Sequence, residues 1–406
     1  MPAMNSRSFK KGVFVIEGLN SFAVTFFFYY IYFFMQQKFG FGNKANLILA
    51  AAAGLLYVPA SIYGGRFAQR AGSFRALKLG FSILILSFIG GWVLLDHVAA
   101  QIAFVMLAII GMCFTWPTLE GLISEGETYE GLQQNIGVYN VVWAATGALA
   151  YFVGGALLDR CGLSSLFWVP LATVSVQLVL AFRLERLHVH APHSAAAHAQ
   201  HVESHPHPPH VTKAFMRMAW LANPCAYVAI NTLVAVMPGV AEHLGLTTTM
   251  AGFCCSLWCF ARMGAFVVLW QWNGWHYRFR WLLVSYLALI ASFAVILVVP
   301  QLAAVIAAEL AFGWAIGLIY YSSLYYSMDV GETKSEHGGI HEAAIGLGNF
   351  VGPAVGAAWL QFSSVHTNSG AGAVSALLAL GFLGLLVIQR GTRRGQQEIS
   401  PAKKLG

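Results

Sequence analysis

The sequence predicts an all-α integral membrane protein of twelve transmembrane helices, built as two pseudo-symmetric six-helix bundles. Three observations predict it. Only 10% of the 406 residues are charged and 58% are hydrophobic, whereas a soluble chain carries about 25% charged residues. Twelve apolar runs follow one another, each near the length of about 20 residues that spans the roughly 30 Å hydrocarbon core of a bilayer. A single long polar segment, from Arg183 to Lys213, divides those runs into six and six.

The first run covers residues 12 to 37 and carries Glu17 and Asn20. It is too long for a cleavable signal peptide and ends without a small-residue cleavage site. Five further runs centre on Tyr57, Leu86, Ile109, Thr146 and Ala172, then five on Ala229, Trp258, Leu289, Trp314 and Phe350, and a twelfth on Leu380. Most gaps are a few residues long, so neighbouring helices form antiparallel hairpins. Lys and Arg are retained on the cytoplasmic side of a membrane. An N-terminus inside places Arg7, Lys10, Lys11, Arg66, Arg70, Arg75, Lys78, Arg183, Arg186, Lys213, Arg217, Arg278, Arg280, Lys334 and the basic tail in the cytoplasm, leaving Lys38, Lys44 and Arg160 outside. Both termini are therefore expected in the cytoplasm of a bacterial-type inner membrane. The net charge of +7 expresses this bias, and no nucleic-acid partner is implied. Five of the six cysteines lie in apolar runs without CxxC spacing and read as core residues.

The polar segment sets the organisation: a first bundle over 1–183, a His-rich cytoplasmic linker over 184–214, a second bundle over 215–392 and a basic tail over 393–406. Pro, Ala and His without apolar anchors make a flexible linker. Its histidines, from His188 to His210, lack fixed ligand spacing and an acidic second shell. Adventitious metal binding or plain solvation is the expectation, and no metal site is assigned.

The two halves repeat each other. Gly126, Glu127 and Thr128 after the fourth helix match Gly331, Glu332 and Thr333 after the tenth, at an offset of 205 residues. Arg75 and Arg280 share that offset, and YFVGGALL at Tyr151 parallels GPAVGAAWL at Gly352. With the basic turn GGRFAQRAGSFRALKLG after the second helix, this pattern resembles the major facilitator superfamily over nearly the whole chain. Gly65, Arg70, Gly72 and Arg75 match that family's turn, and Gln69 stands where it usually has an aspartate. The resemblance implies a gating role for these five residues, two parallel-topology repeats, and transport by alternating access. Closely spaced glycines in GALAYFVGG and GNFVGPAVG suit either tight packing or a seam on which two bundles rock.

In that family the first, fourth, seventh and tenth helices line a central cavity. The resemblance accordingly places Glu17, Asn20, Trp116, Asn231, Trp314, Tyr321 and Tyr325 at a solute site, with Tyr139, Asn140 and Trp143 of the fifth helix flanking it. Trp314, Gly317, Tyr321 and Tyr325 recur at helical spacing as one stripe, which serves either packing or binding. Aromatic faces mixed with amides and hydroxyls suit a partly polar, planar or ring-shaped organic solute.

Charges inside hydrocarbon are costly. Arg262 of the eighth helix, Glu309 of the tenth and Glu342 of the eleventh are the candidates for coupling. Arg262 is expected to pair with Glu342 or Glu309, or to face the cavity and bind an anionic solute. Glu120, at the end of the fourth helix, is expected to snorkel to the interface. No GxxxxGK[ST] loop, HExxH or GxSxG occurs, so neither an ATP-driven pump nor an enzyme is expected. The expectation is a monomeric, lipid-embedded secondary transporter of a small organic solute, proton-coupled and without cofactor. An uncoupled facilitator and a transport-inactive receptor on the same fold remain as alternatives.

Overall fold

The structure, a computed structural model, describes residues 6–125, 129–188, 208–329, 335–362 and 369–402. The repeated Gly126–Thr128 and Gly331–Thr333 motifs and the linker histidines from His190 to His207 lie outside them. In the first half the helices are α1 (Ser6–Phe39), α2 (Asn43–Ala71), α3 (Ser73–Val93), α4 (Val98–Ser124), α5 (Tyr129–Cys161) and α6 (Ser165–His188). In the second they are α7 (Pro209–His243), α8 (Thr248–Cys255), α9 (Leu257–Gln271), α10 (Phe279–Val298), α11 (Leu302–Asp329), α12 (Ser335–Phe362) and α13 (Ser369–Ala402). Helices α8 and α9 form one span interrupted at Ser256, so the described residues contain twelve helical segments long and apolar enough to cross a membrane. The first helix begins earlier than its apolar run, because the polar Ser6–Lys11 stretch extends the same helix.

Inside the first half α1 packs on α5 and α6, α2 on α4, and α3 on α4 and α6. Each of these pairs recurs six spans later: α7 with α12 and α13, α9 with α11, and α10 with α11 and α13. The repeat seen faintly in sequence is thus a repeat of packing. Short connections enforce it. The turn between α2 and α3 is the single residue Gly72, whose φ of +99° is open to glycine and strained for other residues. Its N–H bonds Ala68 O at 3.0 Å while its carbonyl accepts from Ala76 N at 3.1 Å, so one residue closes one helix and opens the next. From α1, the Lys10 ammonium donates to the carbonyls of Leu122, Ile123 and Glu125 at 2.7–2.9 Å, covering the C-terminal end of α4.

The halves meet along two seams, α2 against α12 and α5 against α8 and α9, with α1 and α2 also touching α7. Small residues make both seams close. A methyl group at Gly54 would overlap the Asn349–Phe350 peptide of α12, and Gly346 of α12 lies against Tyr57 and Val58. On the other seam, Gly155 lies on the Thr248 carbonyl and Gly252 on the Tyr151 and Phe152 carbonyls. Lipid provides no hydrophobic drive for association, so such backbone proximity supplies the packing.

Candidate functional site

Between the halves lies a cavity of about 130 Å³ lined by residues of both. From α1 come Thr25, Phe28, Tyr29 and Tyr32, and from α2 Ala50, Ala53, Gly54 and Tyr57. Both sets follow the three-to-four-residue spacing of one helix face. Trp116 and Glu120 of α4 and Tyr139 and Trp143 of α5 complete the first-half wall. The second half supplies Tyr227 and Asn231 of α7, Arg262 of α9, Tyr320 of α11, and Glu342, Ile345 and Asn349 of α12.

Arg262 is 5% exposed. Its guanidinium lies 4.4 Å from the Trp143 ring centre and 4.8 Å from that of Trp258, which closes the site from behind. Among the described residues the ion pairs are Lys38–Asp96 and Lys78–Glu185, and neither involves Arg262. Its Nε has no hydrogen-bond partner. Of the two carboxylates expected to pair with it, Glu342 instead accepts a hydrogen bond from the Tyr57 hydroxyl. Glu309 is fully buried on α11, beside the first N–H groups of α9 at Leu257 and Trp258, with both oxygens outside hydrogen-bond geometry. The geometry therefore corresponds to the other alternative, an arginine facing the cavity.

Three carboxylates gather toward the end of the bundle that carries the chain termini. Glu17 is fully buried, its Oε1 accepting from Trp116 Nε1 at 3.2 Å and its Oε2 without a partner. It lies within electrostatic range of Glu120 and Glu342. Glu120 lines the cavity instead of snorkelling to an interface, because α4 continues past it to Ser124. Within the second half, Asn231 Nδ2 of α7 donates to Asn349 Oδ1 of α12. The backbone carbonyl of Trp143 accepts from Ser21 Oγ at 2.7 Å, and its indole N–H donates to Asn140 Oδ1 at 3.1 Å.

Of the sequence-predicted residues, Trp116, Tyr139, Trp143, Asn231, Arg262 and Glu342 meet at the cavity. Glu17 and Asn140 stand one contact behind it, each bonded to a lining tryptophan. Asn20 is fully buried with no hydrogen-bond partner and is not part of the lining. The α11 stripe is corrected. Trp314 is 47% exposed on the outer face, and Tyr321 and Tyr325 pack edge-on against Trp275. Tyr320, one residue away, is the ring that enters the cavity. Gln69, Arg70, Gly72 and Arg75 are exposed at the α2–α3 turn and Gly65 is buried one helical stretch before it, all remote from the cavity. Sequence reasoning missed Tyr29, Tyr57, Tyr227, Tyr320 and Asn349. The Tyr29/Tyr32 spacing was the available signal for the first of them.

Two packed six-span repeats around a mixed aromatic and charged cavity define a polytopic membrane transporter. The sequence profile of the Major Facilitator Superfamily matches residues 13–338, and the chain belongs to that superfamily. No curated protein matches the chain in sequence. Among solved structures, it is similar to the nucleoside transporter NupG, with 11% identity and a TM-score of 0.67 over 95% of this chain and 99% of that one. It is also similar to the human organic anion transporter MFSD10 (TETRAN), with 15% identity and a TM-score of 0.66 over 94% and 100% of the chains. A bacterial homologue of the human drug peptide transporters PepT1 and PepT2 gives 15% identity and a TM-score of 0.68 over 96% and 100%. At these identities the likeness is one of fold.

Proposed function

We propose that this transporter moves a small organic solute across the inner membrane by proton-coupled alternating access, with both termini in the cytoplasm. The observation that carries the reading is a cavity walled by both halves and clasped shut on the side away from the termini. Four polar clasps join the halves there. Gln36 Nε2 donates to Glu242 Oε2 at 2.8 Å, Gln37 Nε2 donates to Thr248 Oγ1 at 2.9 Å, Lys44 bonds Gln361, and Asp159 Oδ2 accepts from the backbone and hydroxyl of Thr249 at 2.8 and 2.6 Å. All four are exposed contacts, each worth about 1 kcal/mol or less, so they part at low cost. The glycine-lined seams beneath them are the surfaces on which the halves rock.

Coupling is assigned to Glu342 and to the carboxylates beside it, together with Glu309 and Arg262. A carboxyl inside the membrane is the group that carries a proton between two access states. The test is uptake into proteoliposomes under an imposed pH gradient. The wild type should accumulate solute, and Glu342→Gln should exchange it without accumulating it. Gradient-driven accumulation surviving in Glu342→Gln would refute the coupling assignment. A cross-link between cysteines placed at Gln36 and Glu242 should stop flux in either protein.

A further inference from the structure

We infer that the solute is a small planar aromatic monoanion, its carboxylate bound by Arg262 and its ring held among the cavity's aromatic side chains. The inference rests on the transport reading and names its substrate class.

Arginine stays protonated at any pH a cell meets. A buried cation without an anion carries a desolvation cost of several kcal/mol, and Arg262 has no ion-pair partner among the described residues. Two indole faces at 4.4 and 4.8 Å offset part of that cost, at about 0.5–2 kcal/mol each. Nε itself is buried without a partner and the Tyr29 hydroxyl stands beside the guanidinium, yet Arg262 lines the cavity and presents the rest of its N–H fork there to another group. Carboxylate is the anion whose two oxygens fit that fork. Glu342 and Glu309 are held elsewhere, by the Tyr57 hydroxyl and beside the start of α9. The missing anion therefore belongs to the cargo.

Size and wall chemistry narrow the class. The cavity, about 130 Å³, is of the order of the roughly 150 Å³ cavities that hold benzene. Trp143 and Tyr320 pack with ring centres 5.4 Å apart, and Tyr227 and Tyr320 with 6.4 Å, forming an aromatic wall beside Arg262. Ring faces and edges favour a flat aromatic partner over an aliphatic one. A dianion is disfavoured because Arg262 is the cation among the lining residues, which also include Glu120 and Glu342.

The experiment compares benzoate, phenylacetate, benzamide and cyclohexanecarboxylate binding to purified full-length protein by thermal shift and by tryptophan fluorescence. At least one aromatic acid should bind at least about tenfold more tightly than benzamide, the uncharged mimic, and more tightly than the cyclohexane acid. Arg262→Met should bring the acid-to-amide ratio close to one, and Arg262→Lys should keep part of it. Equal binding of benzoate and benzamide by the wild type, an unchanged ratio in Arg262→Met, or no binding of either aromatic acid at millimolar concentration overturns the inference. The wild-type comparison stands even where a variant fails to fold. Loss of acid binding alongside proteoliposome flux of an uncharged solute refutes this substrate class and leaves transport intact. Acid binding with no flux of any bound acid refutes transport and leaves the binding site.

Discussion

Gly54→Ala places the smallest possible probe in the α2–α12 seam. The new methyl would stand 2.7 Å from Asn349 O, about 0.7 Å short of ordinary contact, and still closer to the peptide carbon and nitrogen behind it. A helix backbone cannot rotate away as a side chain can, so the two helices must part. Overpacking of this kind costs about 1–3 kcal/mol, and it falls only on the conformation in which the seam is closed. Alanine also raises helix propensity by about 1 kcal/mol over glycine, but equally in every conformation. The closed seam should thus lose about 5- to 150-fold in population relative to a state with α2 and α12 apart. The assay is labelling of a cysteine at the cavity residue Thr25 by an impermeant maleimide applied from the side away from the termini. Gly54→Ala should accelerate it by that order, whereas Ala52→Leu, on an exposed position of the same helix, should not. Unchanged labelling with an unchanged unfolding temperature would show that the seam does not govern access.

Other outcomes follow from single contacts. Tyr57→Phe removes the hydroxyl that donates to the buried Glu342 and should cost about 1–3 kcal/mol, read as a lower unfolding temperature. Combining it with Glu342→Gln should recover part of that loss, and strict additivity would deny the contact. Asp159→Ala removes the acceptor that caps the start of α8 from across the halves. About 1 kcal/mol of the clasped state should go with it, seen as faster maleimide labelling at Thr25→Cys. Cys161 is exposed, at the end of α5 away from the termini, while the other cysteines are buried or half-buried. Impermeant maleimide should label it from the periplasmic face of spheroplasts; labelling only from inverted vesicles would reverse the proposed orientation.

The membrane-spanning architecture was legible because hydrocarbon imposes a length and a composition on every crossing, and both are properties of a run of residues. Glu17, Trp116, Trp143 and Arg262 were legible for a related reason, since polar or ring-bearing groups inside such runs need a destination. The stripe on α11 marks where this reasoning stops. Trp314, Gly317, Tyr321 and Tyr325 recur at helical spacing, yet Trp314 is half exposed on the outer face, Gly317 lies against α9 and Tyr321 and Tyr325 against Trp275, while Tyr320 turns to the cavity. A helix apolar all round carries no moment to say which face looks where.

The pairing of charges was equally beyond the sequence. Spacing along the chain offers Arg262 two carboxylates, and only packing shows Glu342 taken by Tyr57 of the other half and Glu309 turned toward the start of α9. The sequence by itself determined that the chain crosses a membrane twelve times as six and six, because the cost of burying backbone and charge in lipid is local to each segment. The tertiary structure decided which side chains share one cavity and which cation there lacks an anion, because contacts between α1, α7 and α12 depend on how whole helices rotate and approach.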